Sequence, residues 1–247
     1  RGNPEYRVEG LGTYLIPWSE KRAKEALPQA PKDTRVVLSQ GVPGAAREGH
    51  ALLEARGYDL TRHWYRMVIE MDNPPPPPEM PEGLHIRTFV RDELPDVLRA
   101  ETDAFRDHWG FVEHPFEEEL ENWSQWIDED PDFDPGLWFL AMDGAEIAGV
   151  CLCHKKVVED PEMGWVNSLG VRRPWRRRGL ALALLHHTFG VFYRRGKRRV
   201  GLGVDATSLT GATRLYEKAG MHIERKSVSY EKVLREGRDL STQTVEH

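Results

Sequence analysis

A segment with five arginines and one glycine separates an apolar strand from an apolar helix in this 247-residue chain. The segment runs from 172 to 179, and the helix opens at Leu180. The start of a helix carries unpaired backbone N–H groups and the positive end of the helix dipole, so it can hold a phosphate. Gly179 places no side chain in the path of such a ligand. We therefore expect this turn to bind a pyrophosphate group.

The hydrophobic periodicity around this turn predicts a mixed α/β sheet. Strands are expected at 84–89, 164–171, 199–204 and 223–234, a hairpin at 137–158, and helices at 92–105, 115–127, 180–195 and 208–219. Antiparallel strands thus come first, and strands connected by crossover helices come later. This order is typical of an α/β fold with a mixed sheet.

Five consecutive prolines, Pro74–Pro78, favour an extended, semi-rigid spacer. The expected organisation is a partial domain at 1–72, a polyproline linker at 73–82, a main domain at 83–236 and a tail at 237–247. The N-terminal piece repeats a pattern found near the end of the chain, with a strand at 35–38, a helix at 44–55 and a strand at 63–69. It lacks any glycine between Thr13 and Gln40, where a phosphate-binding turn would lie. One such turn per chain is therefore expected.

Composition limits the classes of function. A net charge of −6 argues against general affinity for nucleic acid, and no apolar run approaches the roughly 20 residues that span a membrane. The only cysteines, Cys151 and Cys153, are poorly spaced for a disulfide and lack partners for a zinc site. We expect buried thiols, no metal and a cytoplasmic location.

Two motifs in the second half resemble those of the GNAT acyltransferase superfamily. Arg176-x-x-Gly179-x-Ala181 matches its acyl-CoA signature, and 212–221 matches Ala-x-x-Leu-Tyr-x-x-x-Gly-Phe with Met221 in the last place. The resemblance covers roughly 83–234. It implies a GNAT fold preceded by a partial, degenerate GNAT-like domain, a tandem plan similar to that of mycothiol synthase-like proteins.

The resemblance implies an N-acetyltransferase that moves an acetyl group from acetyl-CoA, or another acyl from its CoA ester, to a small-molecule or peptide amine. The amine would attack directly in a ternary complex. The implied CoA-binding residues are Leu169 and Val171 at the strand end, Arg176, Arg177, Arg178, Gly179, Leu180 and Ala181 in the turn, and Ser208 at the start of the second-motif helix.

The resemblance also implies the catalytic groups. Tyr216 occupies the position of the general acid, although at helical spacing it could equally be a core aromatic. The alternating positions of the strand before the turn hold no base, so Glu162, just ahead of that strand, is the first choice, and His108 and Asp107 are the other candidates. Three residues of the loop between the first two helices are expected to line the acceptor pocket: Asp107, His108 and Trp109.

Other interpretations remain open at this point. The arginines could belong to a solvated turn, and a second basic cluster at 194–199 could simply stabilise a helix C-terminus. The missing strand base favours an acyl-CoA-binding sensor that has lost catalysis. A nucleic-acid-binding module that uses both arginine clusters is disfavoured by the acidic net charge.

Overall fold

A computed structural model describes residues 10–207 and 211–242. The helices are α1 (Leu11–Ala26), α2 (Arg47–Ala55), α3 (Leu94–Phe105), α4 (Phe116–Glu129), α5 (Leu180–Arg194) and α6 (Ala212–Lys218). The strands are β1 (Val36–Pro43), β2 (Asp59–Glu70), β3 (Leu84–Thr88), β4 (Trp138–Asp143), β5 (Glu146–His154), β6 (Met163–Val171), β7 (Arg199–Asp205) and β8 (His222–Arg235). Short 3₁₀ turns follow α1, precede α3 and β4, and occur within the arginine segment at Arg173–Trp175.

The chain divides into two compact units. Among the described residues, the first comprises 10–65, 205–207 and 225–240, and the second comprises 66–204, 211–224 and 241–242. Strands β2 and β8 each contribute residues to both units. The polyproline run lies within the second unit.

In the first unit, β1 pairs antiparallel with β8, from Val36 opposite Arg235 to Pro43 opposite Ser227. A small core of buried side chains fills this unit: Val42, Leu53, Tyr58, Val228 and Tyr230. The strand–helix–strand order of β1, α2 and β2 matches that of β7, α6 and β8, as the internal repeat predicts. Helix α1 was not expected, since it contains Pro17 and has no acidic residue in its first turn.

In the second unit the strand order is β7-β6-β5-β4-β3. Only β6 and β7 are parallel among the pairs β3–β4, β4–β5, β5–β6 and β6–β7. Leu152 packs in a cluster with residues of α3 and α4, whereas the thiol of its neighbour Cys151 contacts Thr188 of α5. Because successive strand residues point to opposite faces, α5 covers one face of the sheet, and α3 and α4 cover the other. The mixed α/β fold expected from the sequence is confirmed.

Strand β6 contains an irregularity that opens a cleft. Its pairing with β5 passes from Val166 to Ser168 and skips Asn167, which marks a β-bulge. Its parallel pairing with β7 ends at the same place, with Val166 opposite Leu202. A bulge bends its strand, so the remainder of β6, Asn167–Val171, separates from β7. The backbone edge of that segment is left open beside the start of α5.

Candidate active site

The arginine turn ends at an open helix start. Gly179 has a φ of 88° and Arg177 a φ of 60°, so the chain passes twice through the left-handed region before α5 begins. The N–H of Ala183 bonds the carbonyl of Gly179 at 3.1 Å. The preceding N–H groups, of Leu180, Ala181 and Leu182, precede that first helical bond and have no intrahelical acceptor. They form a cluster of donors at the positive end of a 15-residue helix.

The five arginines of the turn have different partners. Arg172 donates to Asp103 at 2.7 Å, and Arg173 and Arg176 both donate to Asp107. Arg177 and Arg178 are exposed and form no ion pair with any residue that the structure describes. The turn therefore presents two uncommitted cations next to the free N–H groups.

Arg176 connects three separate segments of the second unit. Its Nε donates to the carbonyl of Val171 at 2.9 Å, its Nη2 to that of Ala104 at 3.0 Å and its Nη1 to the Asp107 carboxylate at 2.6 Å. The Asp107 side chain is only 5% exposed. The hydrogen bonds from Arg173, followed by those from Arg176, hold the pKa of Asp107 well below its usual range. The Asp107 carboxylate is thus ionised and holds two arginines of the turn in place.

His108 and Trp109, the other two residues of the expected acceptor loop, follow Asp107 in the chain. The His108 ring packs edge-on against Phe105, with ring centroids 4.5 Å apart, and burial lowers its pKa. Trp109 is half-buried. Thr242 pairs with this loop, since its carbonyl accepts from the N–H of Gly110 at 2.8 Å and its N–H donates to Phe111 at 2.8 Å.

Sequence reasoning missed a carboxylate on α3. Glu101 accepts a hydrogen bond from the hydroxyl of Ser168, on β6, at 3.2 Å. Burial raises the pKa of Glu101, and the nearby Glu119 carboxylate raises it further. A signal was present in the sequence, because Glu101 stands seven residues after Leu94 on the apolar face of its helix.

Glu101 lies in the wall of a cavity of about 520 Å³. The lining residues come from α3, α4 and the neighbouring strands: Glu101, Glu119, Asn122, Trp123, Trp126, Trp138, Leu152, His154, Asn167 and Ser168. A second cavity of about 420 Å³, lined partly by the loop before α4, shares Glu101, Glu119 and Trp123 with the first. Glu101 therefore borders both cavities, together with a second carboxylate, Glu119.

Tyr216 lies in α6 and is 9% exposed. Burial raises the pKa of its phenol to about 12, with a smaller contribution from Cys151. The phenol is therefore protonated throughout the physiological range. No residue that the structure describes forms a hydrogen bond with its hydroxyl.

The remaining expected residues are dispersed. Glu162 is 84% exposed and stands 3.6 Å from Lys197, at the opposite end of β6 from the turn. At about 3.3 Å per strand residue, roughly 30 Å separates the two ends. Leu169 and Val171 lie on the open segment of β6 and are half-buried. Ser208 lies outside the described residues.

Most of the second basic cluster is engaged by the protein itself. Arg195 pairs with Asp134, and Arg199 pairs with Asp160 and Glu224. Lys197 donates to the carbonyl of Pro161 at 2.7 Å. These contacts fit the structural interpretation of the cluster.

The described part of the chain has neither a membrane-spanning helix nor a metal-binding cluster. It contains no helix long and apolar enough to cross a membrane. Within the same residues, no group of three or more His, Cys, Asp or Glu side chains is placed to hold a metal ion.

The parallel pairing of β6 with β7 ends at Val166, and an arginine-flanked helix start follows along the chain. The chain belongs to the Acetyltransferase (GNAT) family, whose model matches residues 94–221. It is an acetyltransferase, and the expectation of a GNAT enzyme with a tandem plan is confirmed.

Among its relatives, the mycothiol acetyltransferase of Thermobispora bispora is 32% identical over 228 residues, covering 88% of this chain and 70% of that protein. The mycothiol acetyltransferase of Geodermatophilus obscurus is 30% identical over 239 residues, covering 92% of this chain and 70% of that protein. A GCN5-related N-acetyltransferase from Sphaerobacter thermophilus is 40% identical, with a TM-score of 0.79, covering 98% of this chain and 73% of the other. A tandem GNAT protein of the clavulanic acid pathway shares the fold, with a TM-score of 0.67 and 16% identity over 95% of this chain and 73% of its own.

Proposed function

We propose that this chain transfers the acetyl group of acetyl-CoA to a primary amine by direct attack in a ternary complex. The observation that carries the proposal is the open start of α5, where Gly179 follows Arg177 and Arg178, two arginines that form no ion pair within the described residues, close in the chain to the segment of β6 beyond its pairing with β7. A ligand bound here could contact backbone N–H donors, two cations and a strand edge.

Two parts of acetyl-CoA, the pyrophosphate and the pantetheine arm, would have counterparts in this arrangement. The backbone N–H groups from Arg177 to Ala181 would hold the pyrophosphate, because they lie at the positive end of α5. Arg177 and Arg178 would add charge-assisted hydrogen bonds to its oxygens. The backbone of Leu169 and Val171 would pair with the amides of the pantetheine arm, as a further strand would. Arg176 supports the turn rather than the ligand, since all three of its hydrogen-bonding nitrogens are used within the protein.

The proposed chemistry needs one base and one acid. Glu101 would take a proton from the ammonium group of the acceptor, and its raised pKa makes it a stronger base than an ordinary carboxylate. The neutral amine would then attack the thioester carbonyl, forming the C–N bond as the C–S bond breaks, and the attacking nitrogen would release its surplus proton to solvent. Tyr216 would donate its proton to the leaving thiolate, and its raised pKa keeps that proton in place until then.

Glu101 replaces Glu162 as the proposed base. Glu101 is largely buried and borders the cavity, whereas the carboxylate of Glu162 is exposed at the far end of β6. The lack of a base on the strand favoured a sensor without catalysis. That argument no longer applies, because α3 supplies a carboxylate, Glu101.

The relatives support a small-molecule amine as the acceptor. Two of them, both at least 30% identical, are mycothiol acetyltransferases by name. The cavity beside Glu101, about 520 Å³, is of a size that holds a small molecule.

The proposal is tested by measuring release of free CoA from acetyl-CoA with a panel of primary amines. We expect amine-dependent release by the wild-type chain and no release with the corresponding alcohols. Binding of acetyl-CoA without release in the presence of any amine would instead support the sensor. Absence of both binding and release would reject the proposal.

A further inference from the structure

The cavity beside Glu101 is acidic. Its lining includes two carboxylates, Glu101 and Glu119, and no lysine or arginine. Neither carboxylate forms an ion pair with any residue in the described ranges. His154, which also lines the cavity, has its pKa lowered by burial and is therefore neutral at pH 7. A cation that enters this space would relieve the repulsion between the two carboxylates.

The lining of the cavity also includes aromatic side chains. Trp126 stacks on Trp138 with an angle of 9° between the planes and 6.2 Å between ring centroids, and it meets the His154 ring edge-on at 5.3 Å. Trp123 meets Trp138 edge-on at 5.8 Å. The three indoles and the imidazole therefore pack against one another along the cavity.

Trp126 is also incompletely covered. Although its ring contacts Trp138 and His154, 38% of the residue remains exposed, and it borders the cavity. An exposed indole face in a concave site favours a ligand with a flat apolar surface, because stacking removes apolar area from water on both sides.

We propose that the acceptor is a protonated primary amine carried on a ring that has a flat apolar face. The amine is held between Glu101 and Glu119, and the ring stacks on Trp126. The inference rests on the proposed function, since it names the acceptor class of the same site. Two kinds of molecule share this chemistry, an arylalkylamine and an amino sugar whose ring hydrogens form an apolar face.

The test compares KM for three acceptors in the CoA-release assay: 2-phenylethylamine, glucosamine and the open-chain n-butylamine. We expect one of the two ring amines to have a KM at least about tenfold below that of n-butylamine, since ring stacking contributes about that factor. The better of the two identifies the ring as aromatic or as a sugar. An n-butylamine KM equal to or below both ring amines would overturn the inference while leaving the proposed function intact.

Two variants assign the recognition to named residues. Trp126→Leu removes the indole but keeps an apolar side chain, and it should raise the KM of the preferred ring amine about tenfold while leaving that of n-butylamine unchanged. Glu119→Gln should raise the KM of all three amines. Trp18→Leu is the matched control, because Trp18 is 54% exposed on α1 in the other unit, and no KM should change. Unchanged KM for the ring amine in Trp126→Leu would overturn the inference.

A binding measurement keeps the inference testable if no acetyl transfer occurs. Calorimetric titration of the three amines into the wild-type chain and Trp126→Leu reports ring recognition without turnover. Tighter binding of a ring amine that is lost in Trp126→Leu would support the inference even where CoA release fails. Equal binding of all three amines by both proteins would overturn it.

Discussion

The Nη1 atom of Arg176 lies 2.6 Å from the carboxylate of Asp107, and this pair joins the arginine turn to the end of α3. The same guanidinium also donates hydrogen bonds to the carbonyl oxygens of Val171 and Ala104. One carboxylate thus fixes the arginine on which the geometry of the turn depends. Asp107 acts on the proposed CoA site through Arg176, as a positioning residue.

Asp107→Asn should weaken acetyl-CoA binding, although Asp107 is not one of the residues proposed to contact acetyl-CoA. Asparagine keeps the shape of the side chain but cannot neutralise two guanidinium groups, so we expect KM for acetyl-CoA to rise about tenfold and kcat to change less. Steady-state kinetics with varied acetyl-CoA measure both values. Asp103→Asn is the control, because Asp103 accepts from Arg172 of the same turn but does not touch Arg176. An equal rise in both variants would contradict the role of Asp107.

The same substitution predicts a pH dependence of stability. The pKa of Asp107 in the folded protein is lower than its ordinary value of 3.8, so its pairing stabilises the fold fully above that value. The stabilisation is lost as the pH falls through the folded-state pKa. The difference in Tm between wild type and Asp107→Asn should therefore be constant from about pH 8 to pH 5 and shrink only below about pH 4. Thermal unfolding across this range checks the expectation, and a difference that shrinks near neutral pH would contradict it.

Glu101→Gln should remove the proposed base. We expect kcat to fall by about 10² to 10⁴ with little change in the affinity for acetyl-CoA. The wild-type rate should decline on acidification with an apparent pKa above the ordinary glutamate value of 4.5, because burial and Glu119 raise the pKa of Glu101. Glu162→Gln is the matched control and should leave both kcat and the pH profile unchanged. A loss of activity in Glu162→Gln alone would return the role to Glu162.

Tyr216→Phe should lower kcat by about tenfold to 100-fold while the dissociation constant of acetyl-CoA stays the same, since only the donated proton is removed. The alkaline side of the wild-type profile should show no loss attributable to Tyr216 below about pH 11, because its pKa is raised to about 12. Tyr230→Phe controls for loss of a buried phenol, since Tyr230 is 1% exposed in the first unit. Unchanged turnover in Tyr216→Phe would assign Tyr216 to the core instead.

Gly179→Ala should disrupt CoA binding through the backbone. A Cβ at Gly179 would meet no atom within 4 Å, so its cost in the free protein comes from the φ of 88° alone. In the complex it would occupy the path of the pyrophosphate, and the dissociation constant of acetyl-CoA should rise at least about tenfold. Gly144→Ala is matched, with a φ of 56° and open space in the β4–β5 turn. If calorimetry gave the same affinity for both variants, the turn would not be the binding site.

The order of elements in the second unit could be predicted because each element carries a clear period and the turn residues separate them. Helix α5, expected at 180–195, runs from Leu180 to Arg194, and β6, expected at 164–171, runs from Met163 to Val171. Helix α1 could not be predicted, since Pro17 breaks the usual pattern and packing in the first unit overrides it.

The site was harder to predict for two physical reasons. The bulge at Asn167 reverses the alternation along β6, so Ser168 points to α3 and bonds Glu101, which a strict period of two does not anticipate. Asp107 was expected in the acceptor pocket, but its strongest contacts are the arginines of the turn. Both outcomes depend on contacts between residues more than 60 positions apart, which local sequence patterns do not encode.

The most direct test of the central claim is a calorimetric titration of the wild-type chain with acetyl-CoA and, separately, with S-acetylpantetheine, which lacks the pyrophosphate. If the turn holds the pyrophosphate, acetyl-CoA should bind at least about 100-fold more tightly than S-acetylpantetheine, since several charge-assisted hydrogen bonds are lost with it. Equal affinities, or no binding of acetyl-CoA at millimolar concentration, would contradict the account.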